Sequence, residues 1–361
     1  MVVLVALVLM TTQLISSATR ATNRSGKLMD ADSQARLVFD RLGADIARLD
    51  RLGGMDSIFA KADGGTDPSD KMFFFGKGPG FYGNSTSPFT AQDNSGFSLV
   101  GYRVKANQSK MLQLERLGKT LTWTGSYNAA SSAPGAPLLL SFRPGTFEAL
   151  DPSTLGVAYQ SVIGTSGKGY ADGQDPDFHV LGDQVFRFEY CFLLSDGTMS
   201  NLPLRERAAA PAVGQPKWTV TTGVPTINSD ASQGYAAGPA GMGTGSLWFD
   251  NSPGAKRTYR CASSETGAAV WVPGGLEGVS AIVVAIAVLD DTTRRLNVDT
   301  TALAQLLTDP TDSNLASSPP VTMAVLWNKT ILDPGFANTA RIPPSAASSI
   351  QVYQRVFYLN Q

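Results

Sequence analysis

One histidine and two cysteines set narrow limits on what this chain can catalyse. A Ser-His-Asp triad, a Cys-His dyad or a zinc hydrolase would each rest on His179 alone. Zinc sites built from several His and Cys are excluded by number. His179 stands two residues past Asp177, where a strand opens, and reads as a partly exposed packing residue. Glu189 and Glu148 are the residue types of a glycoside-cleaving pair, whose chemistry depends on a separation in space that spacing along the chain does not give. "DGQDPD" offers Asp172, Asp175 and Asp177 beside a Gly turn. Closely spaced carboxylates there can hold calcium, but the EF-hand spacing and its terminal Glu are missing, so a calcium site and a solvated turn both stay open. "GPAGMGTGS" contains a Gly-x-Gly-x-Gly run, yet a phosphate loop needs a strand before it, a helix after it and a following Lys-Ser/Thr. It reads as a flexible loop. Cys191 and Cys261 either form one disulfide in an exported head or remain two small buried side chains. These residues point to no enzyme, no cofactor and no small-molecule substrate.

The charge balance agrees with that reading. The chain of 361 residues has 29 basic and 30 acidic side chains and a net charge of -1, so no basic surplus invites nucleic acid. Only 16% of residues are charged, against 36 glycines and 21 prolines. That composition suits a β-rich, loop-rich exported protein better than a cytosolic enzyme.

The elements that would carry such a surface begin with one helix. "MVVLVALVLM" is wholly apolar, with Val2, Val3, Leu4, Val5, Leu7, Val8 and Leu9 followed by Leu14 and Ile15. From Leu28 the apolar positions continue as Ala31, Ala35, Val38, Leu42, Ile46, Leu49 and Leu52, in steps of three or four that define one helical face. Asp32, Arg36, Asp40, Arg41 and Asp45 lie on other faces, four apart, and can pair along the surface. "LGG" at 52–54 is a helix stop. A continuous helix of about fifty residues would be a rod of roughly 75 Å. A bilayer core asks for about 20 apolar residues, and here ten strong ones are followed by the weaker "TTQLISSA". A cleaved signal peptide, a simple signal anchor, and a segment whose true N-terminus lies upstream are the competing readings. Arg20, Arg24 and Lys27 follow the apolar stretch and by themselves favour a cytoplasmic C-terminal side.

The rest reads as strands: 72–75, 97–104, 111–116, 120–124, 138–142, 185–194, 217–221, 279–289, 321–327 and 350–359. Several alternate in polarity, as half-buried antiparallel strands do. "KANQSK" and Asp196–Gly197 are hairpin signals. "VSAIVVAIAVL" is apolar on both phases and predicts a central strand covered on both faces. "NVDTTALAQLLTD" is the one further helix expected. The interior "GFSLVG" is read as a strand. Between these lie Gly-, Ala-, Ser- and Pro-rich loops.

The helix, with its tail "DSQARLVFDRLGADIARL", resembles that of type IV pilin-like proteins, and its second half that of J-type minor pseudopilins of type II secretion. "VFRFEYCFLLSDGT", "GLEGVSAIVVAIAVLDDTTRRL" and "IQVYQRVFYLN" resemble strands of such heads, and the combination is similar to a pilin-like group known as Verru_Chthon cassette protein C. The family's Gly cleavage site and its fifth-position Glu are absent from this sequence. The resemblance implies an α+β fold in which a long N-terminal helix packs on an antiparallel β-sheet head. Residues 1–53 would be the helix, with 1–19 in the membrane or filament core and 20–53 amphipathic. Residues 54–361 would be the head, against which Val38, Leu42, Ile46 and Leu49 pack. It further implies a structural subunit in the inner membrane, single-pass, with its head in the periplasm or outside the cell and sister pilins or pseudopilins as partners. A secreted or anchored β-rich binding module is the alternative, and a hydrolase a weaker one.

Overall fold

The structure, a computed structural model, describes residues 2–49, 57–62, 68–78, 97–106, 111–123, 138–140, 178–204, 217–223, 225–226, 228–229, 243–251, 257–273, 276–294 and 298–359. Helix α1 spans Val2–Ile46. A first sheet follows, from β1 (Ser57–Ala60), β2 (Lys71–Lys77), β3 (Phe97–Ala106), β4 (Leu112–Trp123) and β5 (Leu138–Leu140), in that order, with β6 (Phe178–Gly182) also paired to β4. Strands β7 (Val185–Leu194), β8 (Met199–Ser200), β13 (Val279–Val288) and β14 (Gln351–Tyr358) form another sheet, ordered β14-β13-β7-β8. Between them in sequence lie β9 (Trp218–Thr221), β10 (Leu247–Asp250), β11 (Arg257–Ser263) and β12 (Val270–Pro273), a smaller sheet ordered β12-β11-β10-β9. Short helices fill the span from β13 to β14: α2 (Asp291–Arg294), α3 (Thr300–Leu306), α4 (Asp312–Leu315), α5 (Met323–Ile331), α6 (Phe336–Thr339) and α7 (Pro344–Ala347).

The main core lies between the first sheet and the β14-β13-β7-β8 sheet. Met72, Phe74, Tyr102 and Leu114 meet Phe188, Tyr190, Ile282 and Ile286 in one apolar cluster, joined by Ala31, Ala35, Val38, Leu42 and Ile46 of α1. Strand β13 pairs with β7 on one side and β14 on the other, and its apolar residues from Ala281 to Val288 are buried on both phases, so both its faces are covered. Gly101 is needed where it stands: it pairs with Phe73, and a Cβ there would sit 2.2 Å from the Phe73 ring. The smaller sheet has its own core, with Trp248 and Trp271 edge-to-face at 5.9 Å.

This arrangement corrects the expected fold class. The protein is not an α+β fold with one helix laid on one antiparallel sheet. It is mostly β, with 14 strands in three sheets among the described residues, and its other helices are short. Two sheets are mixed, because β4–β5 and β9–β10 run parallel. Helix α1 runs along the seam where two sheets meet, touching β6 of one and β13 and β14 of the other. It also stops earlier than "LGG". The Arg48 carbonyl accepts the Lys77 N–H at 2.8 Å and Leu49 bridges to Gly76, so the chain has already turned into β pairing there. Leu49 is partly buried beyond the end of the helix rather than on its packed face. Leu28 is exposed, and burial of the helical face begins at Ala31.

Two further readings change. The segment 321–327, expected as a strand, enters helix α5, where Met323 and Trp327 are both buried four residues apart on one helical face. The expected strands 111–116 and 120–124 are one strand, β4, continuous through Gly118.

Candidate functional site

The described side chains in the first half of α1 are uncovered. Leu7 is 61% exposed, Met10 72%, Leu14 72% and Ile15 64%. The side chains of Val2, Val3, Leu4, Val5, Val8 and Leu9 lie outside the described residues, although their backbone is helical. Three threonines on this stretch turn their polarity inward: Thr11, Thr19 and Thr22 donate to the carbonyls of Leu7, Ile15 and Ala18 at 2.9–3.0 Å. A hydroxyl satisfied within its own helix costs little when water is removed.

From Ala31 onward the same helix is fastened. Arg116 on β4 donates to both Asp45 oxygens, at 2.6 and 3.0 Å, and the Tyr102 hydroxyl donates to Asp45 at 2.5 Å. All three side chains are buried. Burial acts to lower the Arg116 pKa, but its hydrogen bonds to Asp45 outweigh that and raise it. Burial and then the Asp45 charge push the Tyr102 phenol well up, so it remains a donor. At the rim Asp30 accepts from Gln184, Asp32 from Tyr353 and Asp40 from Arg355, at 2.6–2.9 Å. The helix carboxylates expected to pair along the helix surface thus reach across to the head. Arg41 does approach Asp45, at 3.5 Å, but Arg116 is closer.

A second cluster is buried under the β1–β2 hairpin. Lys61 donates to Asp70 and to the Tyr190 carbonyl, and lies 3.7 Å from Glu189. Arg187 lies 3.0 Å from Glu189 and 2.6 Å from Asp309, and donates to the Pro68 carbonyl. Glu189 is completely buried, and neither of its oxygens has an aligned hydrogen-bond donor. Burial and the neighbouring Asp70 raise its pKa well above the usual carboxylate range, against Arg187 and Lys61. Burial also raises Asp309, against Arg187. For Lys61 burial acts downward, but Asp70 and Glu189 outweigh it and the pKa is raised. Asp70, Glu189 and Asp309 bring one oxygen each within 4.8 Å, the donor type that could hold a hard cation. Lys61 and Arg187 already supply positive charge to all three.

Of the other residues singled out from sequence, Asp172, Asp175, Asp177 and Glu148 lie outside the described residues. His179 is exposed on β6, opposite Arg116 in register. Desolvation, then the charges of Arg116 and Arg41, push its imidazole pKa down. The described end of the glycine run, from Gly243, is a turn into β10 with no helix after it. The disulfide alternative is not realised. Both cysteines are free and buried, Cys191 in the main core and Cys261 in the small one, where its thiol donates to the Ser263 carbonyl at 3.1 Å. Burial pushes the Cys191 thiol pKa up to about 12. Sequence reading missed the Lys61–Asp70–Glu189 cluster and the Arg116–Asp45–Tyr102 tie. A charged residue within an apolar strand, such as Glu189 in "VFRFEYCFLL", was the signal available for the first.

Comparison with protein-family models, with curated proteins and with solved structures gives no match to this chain. Among the described residues, no helix is long and apolar enough to cross a membrane.

Proposed function

We propose that the protein is a structural subunit of the minor-pseudopilin kind, held at the inner membrane and joined to sister subunits through the first half of α1. The observation that carries this reading is the division of one continuous 45-residue helix. Its second part is built into the head, while Leu7, Met10, Leu14 and Ile15 remain uncovered. Burying each such side chain is worth about 1.5–3 kcal/mol, so an uncovered row favours lipid or other apolar helices as its surroundings. A helix on which Thr11, Thr19 and Thr22 satisfy their hydroxyls internally packs in either at a reduced polar cost. Head and helix then divide the work: the head fixes identity and orientation, and the helix supplies a surface that exchanges lipid for protein during assembly.

The test is expression of the protein in its native host, followed by fractionation and gentle solubilisation. The protein should partition with the membrane, its head accessible from the periplasmic or outer side, and should co-purify with sister subunits. A soluble monomer in the fractionated cell would refute the proposal.

A further inference from the structure

We propose that Lys61 and Asp70 condense into an intramolecular amide, an isopeptide bond across the base of the β1–β2 hairpin, with Glu189 as the proton shuttle. The inference stands apart from the assembly role and does not rest on it. Its basis is placement. Ala60 pairs with Lys71 at the last rung of the hairpin, so Lys61 and Asp70 face each other one step beyond it. Lys61 Nζ donates directly to Asp70 Oδ2. The Ala62 N–H donates to Asp70 Oδ1 at 2.8 Å, where negative charge would develop in acyl transfer. The Tyr190 N–H donates to Oδ2 at 3.2 Å. Glu189, wholly buried with no aligned donor on either oxygen, lies 3.7 Å from Lys61 and has an oxygen within 4.8 Å of one on Asp70. The Tyr190 ring is 4.2 Å from Nζ, and Phe59 and Phe192 meet that ring edge-on at 5.4 and 5.5 Å. This wall keeps water from the reacting atoms, while the Lys61 side chain, 20% exposed, leaves the released water a way out.

The chemistry needs no outside reagent. A proton passes from the Lys61 ammonium to the Asp70 carboxylate along their hydrogen bond, giving a neutral amine and a neutral acid. The nitrogen lone pair forms a bond to Cγ, and the C=O π electrons move onto Oδ1, which takes a proton from Glu189. The Glu189 carboxylate then removes a proton from nitrogen. It returns that proton to the Oδ2 hydroxyl, the Cγ–Oδ2 bond breaks, and its electron pair leaves with water. The carbonyl re-forms as Oδ1 gives its proton to Glu189. An ammonium and a carboxylate have become an amide and one water, and Glu189 ends protonated as it began. Its raised pKa, from burial and Asp70, suits this role. Arg187 lies 3.0 Å from Glu189 Oε1 and is itself held by Asp309 and the Pro68 carbonyl, which leaves Glu189 Oε2, 3.7 Å from Lys61, as the oxygen that exchanges protons. The bond would tie β1 to the start of β2, the strand that receives the chain leaving α1 at Arg48 and Leu49.

The full-length protein, purified and denatured, should weigh one water less than its sequence. Trypsin should fail to cut after Lys61, and fragmentation should place the lost water on a peptide closed between 61 and 70. Lys61→Arg, Asp70→Ala and Glu189→Ala should each restore the full mass. A wild-type protein of full mass, cut after Lys61, overturns the proposal whatever the variants do. So does a lost water at an Asp–Gly succinimide that leaves Lys61 cleavable. A Glu189→Ala protein that still forms the bond overturns the role given to Glu189.

Discussion

The two parts of α1 are continuous in backbone and opposite in environment. Residues 31–46 bury Ala31, Ala35, Val38, Leu42 and Ile46 and sink the Asp45 carboxylate onto Arg116 and Tyr102. Leu7, Met10, Leu14 and Ile15 stand in the open, and Thr11 and Thr19 are satisfied within the helix itself. Apolar spacing alone does not separate the two, since both parts have it. The presence of carboxylates does. Asp30, Asp32, Asp40 and Asp45 each find a partner on the head, and these bonds mark where the helix is held.

The largest expected effect comes from breaking the fastening. Arg116→Ala leaves the buried Asp45 with only the half-exposed Arg41 at 3.5 Å in place of its close cation, and loss of one partner of a buried pair costs about 3–5 kcal/mol. Chemical denaturation of the protein in detergent should show a drop of that size. Leu42→Ala removes a wholly buried side chain and should cost about 2–5 kcal/mol by the same measurement. Tyr102→Phe removes one hydrogen bond to a charged group and should cost about 1.5–3 kcal/mol. On the bare part, Leu14→Ala should change head stability by less than about 0.5 kcal/mol, while association with sister subunits falls. Equal stability losses for Leu14→Ala and Leu42→Ala would erase the distinction between the two parts.

The smallest effect is a titration. His179 faces Arg116, and its folded pKa is lowered from 6.5 by desolvation and then by Arg116 and Arg41. The folded state therefore binds fewer protons than the unfolded state in that window. The contribution is present above pH 6.5 and is lost as pH falls through the lower folded value. His179→Gln should flatten this decline in a melting-temperature series across that range. An unchanged pH profile would show that Arg116 does not act on His179 as described.

How far the sequence told this story varies by element. The periodicity of "ARLVFDRLGADI" identifies the buried face, because a core contact must repeat every three or four residues. "VSAIVVAIAV" announces a central strand, because only a strand with neighbours on both sides and cover on both faces tolerates apolar residues on both phases. The division into three sheets was not legible, since strand spacing does not say which strands pair. β5 and β9 lie in parallel pairs that no turn motif announces. The segment holding Met323 and Trp327 was misread because seven mostly apolar residues satisfy strand and helix alike. The Lys61–Asp70–Glu189 cluster spans 129 positions of the chain and comes together only when β7 packs beneath the hairpin. Lys61 and Asp70 stand nine residues apart in a Gly- and Asp-rich stretch whose pattern does not mark either as buried.

The central claim, that the bare part of α1 is the surface on which subunits meet, is tested most directly by photo-crosslinking in the intact cell. A photoreactive residue is placed in turn at Leu14 and at Leu42 of the full-length protein, expressed beside its sister subunits. The account predicts crosslinks to other subunits or to lipid from position 14, and crosslinks only within the same chain from position 42. Intrachain crosslinks alone from both positions would contradict it.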